Sequence, residues 1–152
     1  MAALCDGGAL ESKRILLIGS QPGGAQPIID GLRRGGRAVE VDVVASGEHA
    51  LDYLLRRGGF AQRVTSDPAL ILLDLSMPIT DGHRFLERMK SDSRVRCLPV
   101  VVLIPAADEP EISAGYDLGA NAYVVKPSEV REVVEVAEQI GRFWLGVNRA
   151  PR

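Results

Sequence analysis

Apolar residues recur along this chain in two rhythms. Arg14-Ile15-Leu16-Leu17-Ile18, Leu70-Ile71-Leu72-Leu73 and Pro99-Val100-Val101-Val102-Leu103-Ile104 carry short, nearly unbroken apolar runs. Such runs are the signature of strands buried on both faces of a parallel sheet. Val39-Glu40-Val41-Asp42-Val43 alternates instead, as a half-covered edge strand does, and Ala120 to Val125 reads as a fifth strand. Between these runs the spacing turns helical. Ile28, Ile29 and Leu32 mark a helix near residues 25–34 that Gly35-Gly36 ends. Ala50, Leu51, Leu54 and Leu55 follow a capping Ser46, and Gly58-Gly59 closes that helix. Phe85, Leu86 and Met89 follow Asp81, which starts a third helix; Asp108 to Leu118 is a fourth, closed by Gly119. Ser128 caps a long last helix.

Five strand–helix units in succession predict one α/β domain, a doubly wound five-stranded parallel sheet with right-handed crossovers. With the alternating second strand at an edge and the most apolar strands central, the order is 2-1-3-4-5, the flavodoxin-like arrangement. In that order the C-terminal ends of strands one, three, four and five meet at one crevice. They bring Gly19-Ser20-Gln21, Asp74, Ile104-Pro105 and Lys126-Pro127 together. Open α/β sheets bind ligands at such an edge, and Asp74 is a carboxylate placed there.

The segment Asp74-Leu75-Ser76-Met77-Pro78-Ile79-Thr80-Asp81-Gly82 resembles the phosphoacceptor segment of bacterial response-regulator receiver domains. Lys126-Pro127 and Tyr123 match that family's Lys-Pro pair and switch aromatic. The resemblance covers roughly residues 13–147 and implies that Asp74 is the position that accepts a phosphoryl group from a histidine kinase. It also implies that Lys126 pairs with Asp74. The corresponding peptide is commonly cis in the family, so a cis Lys126–Pro127 bond is an expectation.

Two family requirements fail here. Receivers hold Mg²⁺ with an acidic pair after the first strand, but Gly19, Ser20 and Gln21 stand there, with no carboxylate from Lys13 until Asp30. The hydroxyl residue at the end of strand four is replaced by Ile104, followed by Pro105. Asp74 is then the only candidate metal ligand. Each missing carboxylate removes an attraction worth on the order of several kcal/mol before desolvation. The expectation is no cofactor, weak Mg²⁺ at most, slow or absent phosphotransfer, no enzymatic activity, and action by protein–protein interaction. A working Asp74 phosphoacceptor is the first alternative. The second is a nucleotide or flavin binder, because Gly19-Ser20-Gln21-Pro22-Gly23-Gly24 is glycine-rich. Ala25-Gln26 follows it, where a phosphate loop needs Lys-Ser or Lys-Thr.

The net charge of −2 over 152 residues gives no electrostatic case for nucleic acid or an anionic membrane. No apolar run approaches the ~20 residues of a membrane span, and the start of the chain does not read as a signal peptide. Cys5 and Cys97 form no framework, which suits a reduced cytoplasmic setting. His49 and His83 lack metal-ligand spacing and read as surface or boundary residues. The expected division is a loose lead-in over 1–12, the domain over 13–147 and a tail over 148–152, leaving no residues for an output module.

On the last helix, Val130, Val133, Val134, Val136, Ala137, Ile140, Gly141, Phe143, Trp144, Leu145 and Val147 cover an arc of about 200°. A helix on one sheet needs about 100° or somewhat more, so a second buried surface is expected: the lead-in, the tail or a partner. The Phe143-Trp144-Leu145 ending and the long loop before strand three resemble the small receiver-only regulators that partner bacterial phytochrome kinases. That likeness implies a homodimer through the last strand and last helix, using Val133, Val136, Ile140, Phe143 and Trp144.

Overall fold

The computed structural model describes residues 13–20 and 23–150. The lead-in and Gln21 lie outside the described residues. Five parallel strands, β1 (Lys13–Ile18), β2 (Val39–Val44), β3 (Leu70–Asp74), β4 (Val100–Ile104) and β5 (Ala122–Val125), form one sheet in the order β2-β1-β3-β4-β5. The expected architecture and order are therefore observed. Every residue of β3 and β4 is buried, whereas β2 and β5 are partly exposed at the edges. The continuous and alternating runs thus report strand position.

The helices are α1 (Ala25–Leu32), α2 (Gly47–Leu55), α3 (Ile79–Lys90), α4 (Glu109–Asp117) and α5 (Val130–Gly141). One core layer sets α2 and α3 against Leu16, Ile71, Leu73, Val100 and Val102; the opposite layer sets α1 and α5 against Ile15, Leu17, Leu72, Val101 and Leu103. The period-2 alternation along each central strand assigns its side chains to the two layers.

Several boundaries differ from expectation, each for a local reason. Ser46 does cap α2, accepting the His49 N–H at 3.2 Å. Yet α2 ends at Arg56, which takes a left-handed conformation (φ 54°), before Gly58 is reached. The Arg56 guanidinium donates to the carbonyls of Arg63 and Thr65, which offsets the cost of that backbone conformation. α3 starts directly after Pro78, two residues before Asp81, because proline's fixed φ suits a helix entry. Ser128 does not cap α5; Glu129 holds that position without a side-chain cap bond. Beyond Gly141 the helix widens to a π-helical turn, Arg142–Val147.

α1 packs across α5, burying Ala137, Ile140 and Leu145 with Ile28 and Leu32. The extra apolar arc of the last helix is therefore largely covered by α1, an occupant the sequence reading did not consider. Ile140 is 7% exposed and belongs to this core, not to a free face as expected. Val125, Val130, Phe143 and Val147 remain exposed. Among the described residues, no helix is long and apolar enough to cross a membrane.

Candidate functional site

β3 delivers Asp74 to the carboxyl edge of the sheet, where it is paired in register with Leu103. The Leu75 N–H donates to the Leu103 carbonyl at 2.9 Å, which prolongs the ladder past Asp74 and fixes its backbone. The residue is 1% exposed. A carboxylate so buried needs compensation, and the crevice supplies it from two other segments and from the loop after β3 itself.

Lys126, one residue beyond β5, places Nζ 3.0 Å from both Asp74 oxygens. Its own N–H donates to the Ile104 carbonyl, which continues the β4–β5 pairing and aims the side chain inward. Ser20, two residues after β1, donates its hydroxyl to Asp74 Oδ2 at 2.9 Å. The Ser76 N–H donates to Oδ1 at 3.2 Å. Each carboxylate oxygen thus accepts two donors, which fills the roughly four lone-pair sites such a group offers.

Gly19 makes this close approach possible. Its φ is +88°, and a Cβ there would lie 2.7 Å from the Asp74 carbonyl and 2.6 Å from Met77 Cε. Only glycine accepts both that conformation and that space. The Gly19 carbonyl in turn accepts the Ser76 hydroxyl at 2.8 Å, tying the loop after β1 to the loop after β3.

Asp74, Ser20, Lys126, Gly19 and Ile104 are therefore brought together as expected. Pro127 follows on through a trans peptide, since none of the described bonds is cis. This departs from the expectation; trans is the lower-energy isomer of an X–Pro bond by about 0.5–1 kcal/mol. Ile104 is buried, and Pro105 beside it is exposed. No hydroxyl stands at either position.

The donor set does not suit Mg²⁺. That ion wants near-octahedral oxygen ligands with carboxylate charge. Here one carboxylate is present, its oxygens are engaged by an ammonium, a hydroxyl and an amide, and the neighbour at Ser20 is neutral. No group of three or more His, Cys, Asp or Glu residues is arranged to hold a metal among the described residues.

Tyr123 on β5 is half-buried and directs its hydroxyl inward, donating to Glu111 Oε2 at 3.3 Å. Burial and the Glu111 charge push its phenol well above the usual tyrosine range. Its ring packs against Tyr116 at 5.3 Å between centroids. Glu111 itself is buried, and its Oε1 lies 2.9 Å from Nε2 of His83 on α3. The sequence reading missed Glu111, Gly115 and the contact that His83, a partly buried boundary residue, makes with Glu111. The one available signal was Asp108-x-x-Glu111, a helix-start pattern that ordinarily marks a solvated first turn. Of the expected interface residues, Val133, Val136 and Trp144 are partly buried, and Phe143 is 47% exposed and edge-on to Trp144.

Residues 15–138 match the response regulator receiver domain family. The chain is 35% identical over 138 residues to the probable methanogenesis regulatory protein FilR2 of Methanothrix harundinacea, covering 90% of this chain and 86% of that protein. It is 29% identical to the response regulator Rcp1 of Synechocystis, covering 88% of this chain and 89% of that one. Among solved structures, the phosphorylated cyanobacterial phytochrome response regulator RcpA superposes with a TM-score of 0.85 at 33% identity, over 93% of this chain and 100% of that chain. The Mn²⁺-bound form of Rcp1 gives 0.82 at 28% identity, over 92% and 99% respectively. With the sheet order, the buried Asp74–Lys126 pair and the matched residues all in agreement, the chain belongs to the response regulator receiver family of two-component signalling and is similar to its phytochrome-associated members.

Proposed function

We propose that this receiver works with its phosphorylation switch silent, as a protein-interaction module whose Asp74 and Lys126 form a fixed ion pair. One observation carries this reading: both Asp74 oxygens are saturated by the chain's own donors, with neutral Ser20 where the family places a carboxylate. A divalent ion would have to displace Lys126 or Ser20 and would gain a single carboxylate in return. The cost of stripping paired groups in a buried site is several kcal/mol per ion, which one carboxylate does not offset. Without the ion, only Lys126 would neutralise an incoming phosphoryl group. Calorimetric titration of the full chain with Mg²⁺ tests this. No saturable heat at millimolar Mg²⁺ is the expected result; a site saturating in the micromolar range would return Asp74 to service as a phosphoacceptor.

The partners that fit are a histidine kinase of the same signalling class and a second copy of this chain. The exposed apolar residues Val125, Val130, Phe143 and Val147 lie on β5, α5 and its π-helical end, elements that also carry half-buried Val136 and Trp144. A two-fold pairing across this edge would remove them from water, and obligate pairs are the more apolar kind of interface. Light scattering should give twice the chain mass for the wild type and the single mass for Phe143→Asp. A monomeric wild type excludes the homodimer.

A further inference from the structure

Glu111 is the second of two buried charged residues among the described ones, the other being Asp74. Nothing in the Asp74 crevice accounts for it. It sits in the first turn of α4, where the Asp108 carboxylate accepts its N–H at 3.2 Å. A glutamate at that position usually reaches back to the capping residue. Here the side chain turns inward and is 7% exposed. Its Oε2 accepts from the Tyr123 hydroxyl on β5 at 3.3 Å, and its Oε1 lies 2.9 Å from His83 Nε2 on α3. The His83 and Glu111 atoms are both buried, and neither has an aligned hydrogen-bond partner, so the two face each other as a close contact only.

Gly115 completes the arrangement. A Cβ at residue 115 would lie 1.6 Å from the Tyr123 hydroxyl oxygen and 2.4 Å from Cζ. The inward phenol therefore occupies the space that any side chain at 115 would fill. One turn of α4 supplies both the seat, Gly115, and the anchor, Glu111, while His83 holds the anchor from α3.

We infer that Glu111 is a latch: by holding the Tyr123 hydroxyl over Gly115 and bracing against His83, it fixes the α4–β5 surface in one conformation, whatever happens at Asp74. Ile104 strengthens this independence, because the strand end between Asp74 and β5 carries an alkyl side chain that cannot hydrogen-bond to Tyr123. The exposed ring of Tyr116, which packs on Tyr123, is fixed as a consequence. The latch does not rest on the proposed silence of Asp74, since its members touch neither Asp74 nor Lys126.

The experiment is solution NMR on the full chain, reading the nuclear Overhauser contact between the Tyr123 ring protons and the Gly115 α-protons. The wild type should show it strongly with no phosphoryl donor present. Glu111→Ala should weaken it by at least about threefold, since neither anchor nor brace remains. Glu111→Gln should restore it, because the amide oxygen still accepts from the phenol. If Glu111→Ala does not fold, Glu111→Asp replaces it: the shorter carboxylate falls short of a hydroxyl already 3.3 Å away, and the same weakening is expected. An undiminished contact in whichever variant folds, or a weak contact in the wild type, overturns the latch.

Discussion

This receiver buries two carboxylates, Asp74 at the end of β3 and Glu111 in the first turn of α4, and it treats them differently. Asp74 is met by a full cation, a hydroxyl and a backbone amide, four contacts on two oxygens. Glu111 is met by a phenol and an imidazole, each through one oxygen. The first group stands where the family performs its chemistry, and all four contacts on its oxygens come from the chain itself. The second stands where chemistry is not expected and is held by fewer contacts, from groups on two separate elements, β5 and α3. Satisfaction of a buried charge and availability of that charge are opposed quantities. A site becomes quiet when its neighbours are too accommodating.

The comparison breaks most sharply at Lys126. Lys126→Met should leave Asp74 with a buried, half-answered charge and cost about 3 kcal/mol in urea denaturation. Pairing it with Asp74→Leu should recover most of that loss, since removing both partners spares the uncompensated charge. An additive double mutant would show that the two residues do not interact.

The next largest effect concerns Ser20. Ser20→Asp restores one carboxylate beside Asp74 and should raise Mg²⁺ affinity by roughly tenfold, about 1.4 kcal/mol, in a calorimetric titration. An unchanged titration would shift the cause of the quiet site from charge shortage to some other element.

Glu111→Ala should cost about 1–2 kcal/mol in urea, less than the Lys126 change, because its contacts are fewer and its partners neutral in part. A larger loss than for Lys126→Met would reverse the ranking of the two regions.

The smallest effect appears with pH. Tyr123 is held neutral in the fold by burial and by Glu111, with its folded value raised above the ordinary 10.0. Below pH 10 the stabilisation is fully present. As pH rises further, the unfolded chain loses the phenol proton while the folded chain keeps it, so stability falls. Tyr53, raised by burial and by its hydrogen bond to Asp42, acts in the same direction. Denaturation midpoints should fall between pH 10 and 11.5, and fall less in Glu111→Gln. An equal decline in both chains would remove Glu111 as a cause.

How much of this was legible in the sequence differs between the two regions in the same way. The Asp74 crevice was readable because strand order converts five distant positions into one place, and each position carries a residue type with a fixed family meaning. Even so, the hydroxyl of Ser20 was legible only as a missing acid; that it donates to Asp74 depends on a loop geometry set by Gly19. The Glu111 cluster was not readable. Its members, His83, Glu111, Gly115 and Tyr123, lie on three elements with no fixed spacing, and glutamate in a first helical turn ordinarily faces water. The wide apolar arc of α5 was read as excess, but the part of it that α1 covers was not foreseen, because periodicity counts buried positions without naming what buries them. Ile140 lies under α1 for that reason.

The most direct test of the quiet crevice is intact-protein mass spectrometry after incubation with acetyl phosphate and excess Mg²⁺, with peptide mapping of residues 70–82. The account predicts an unmodified chain mass. A stoichiometric phosphoryl adduct on Asp74 would contradict it.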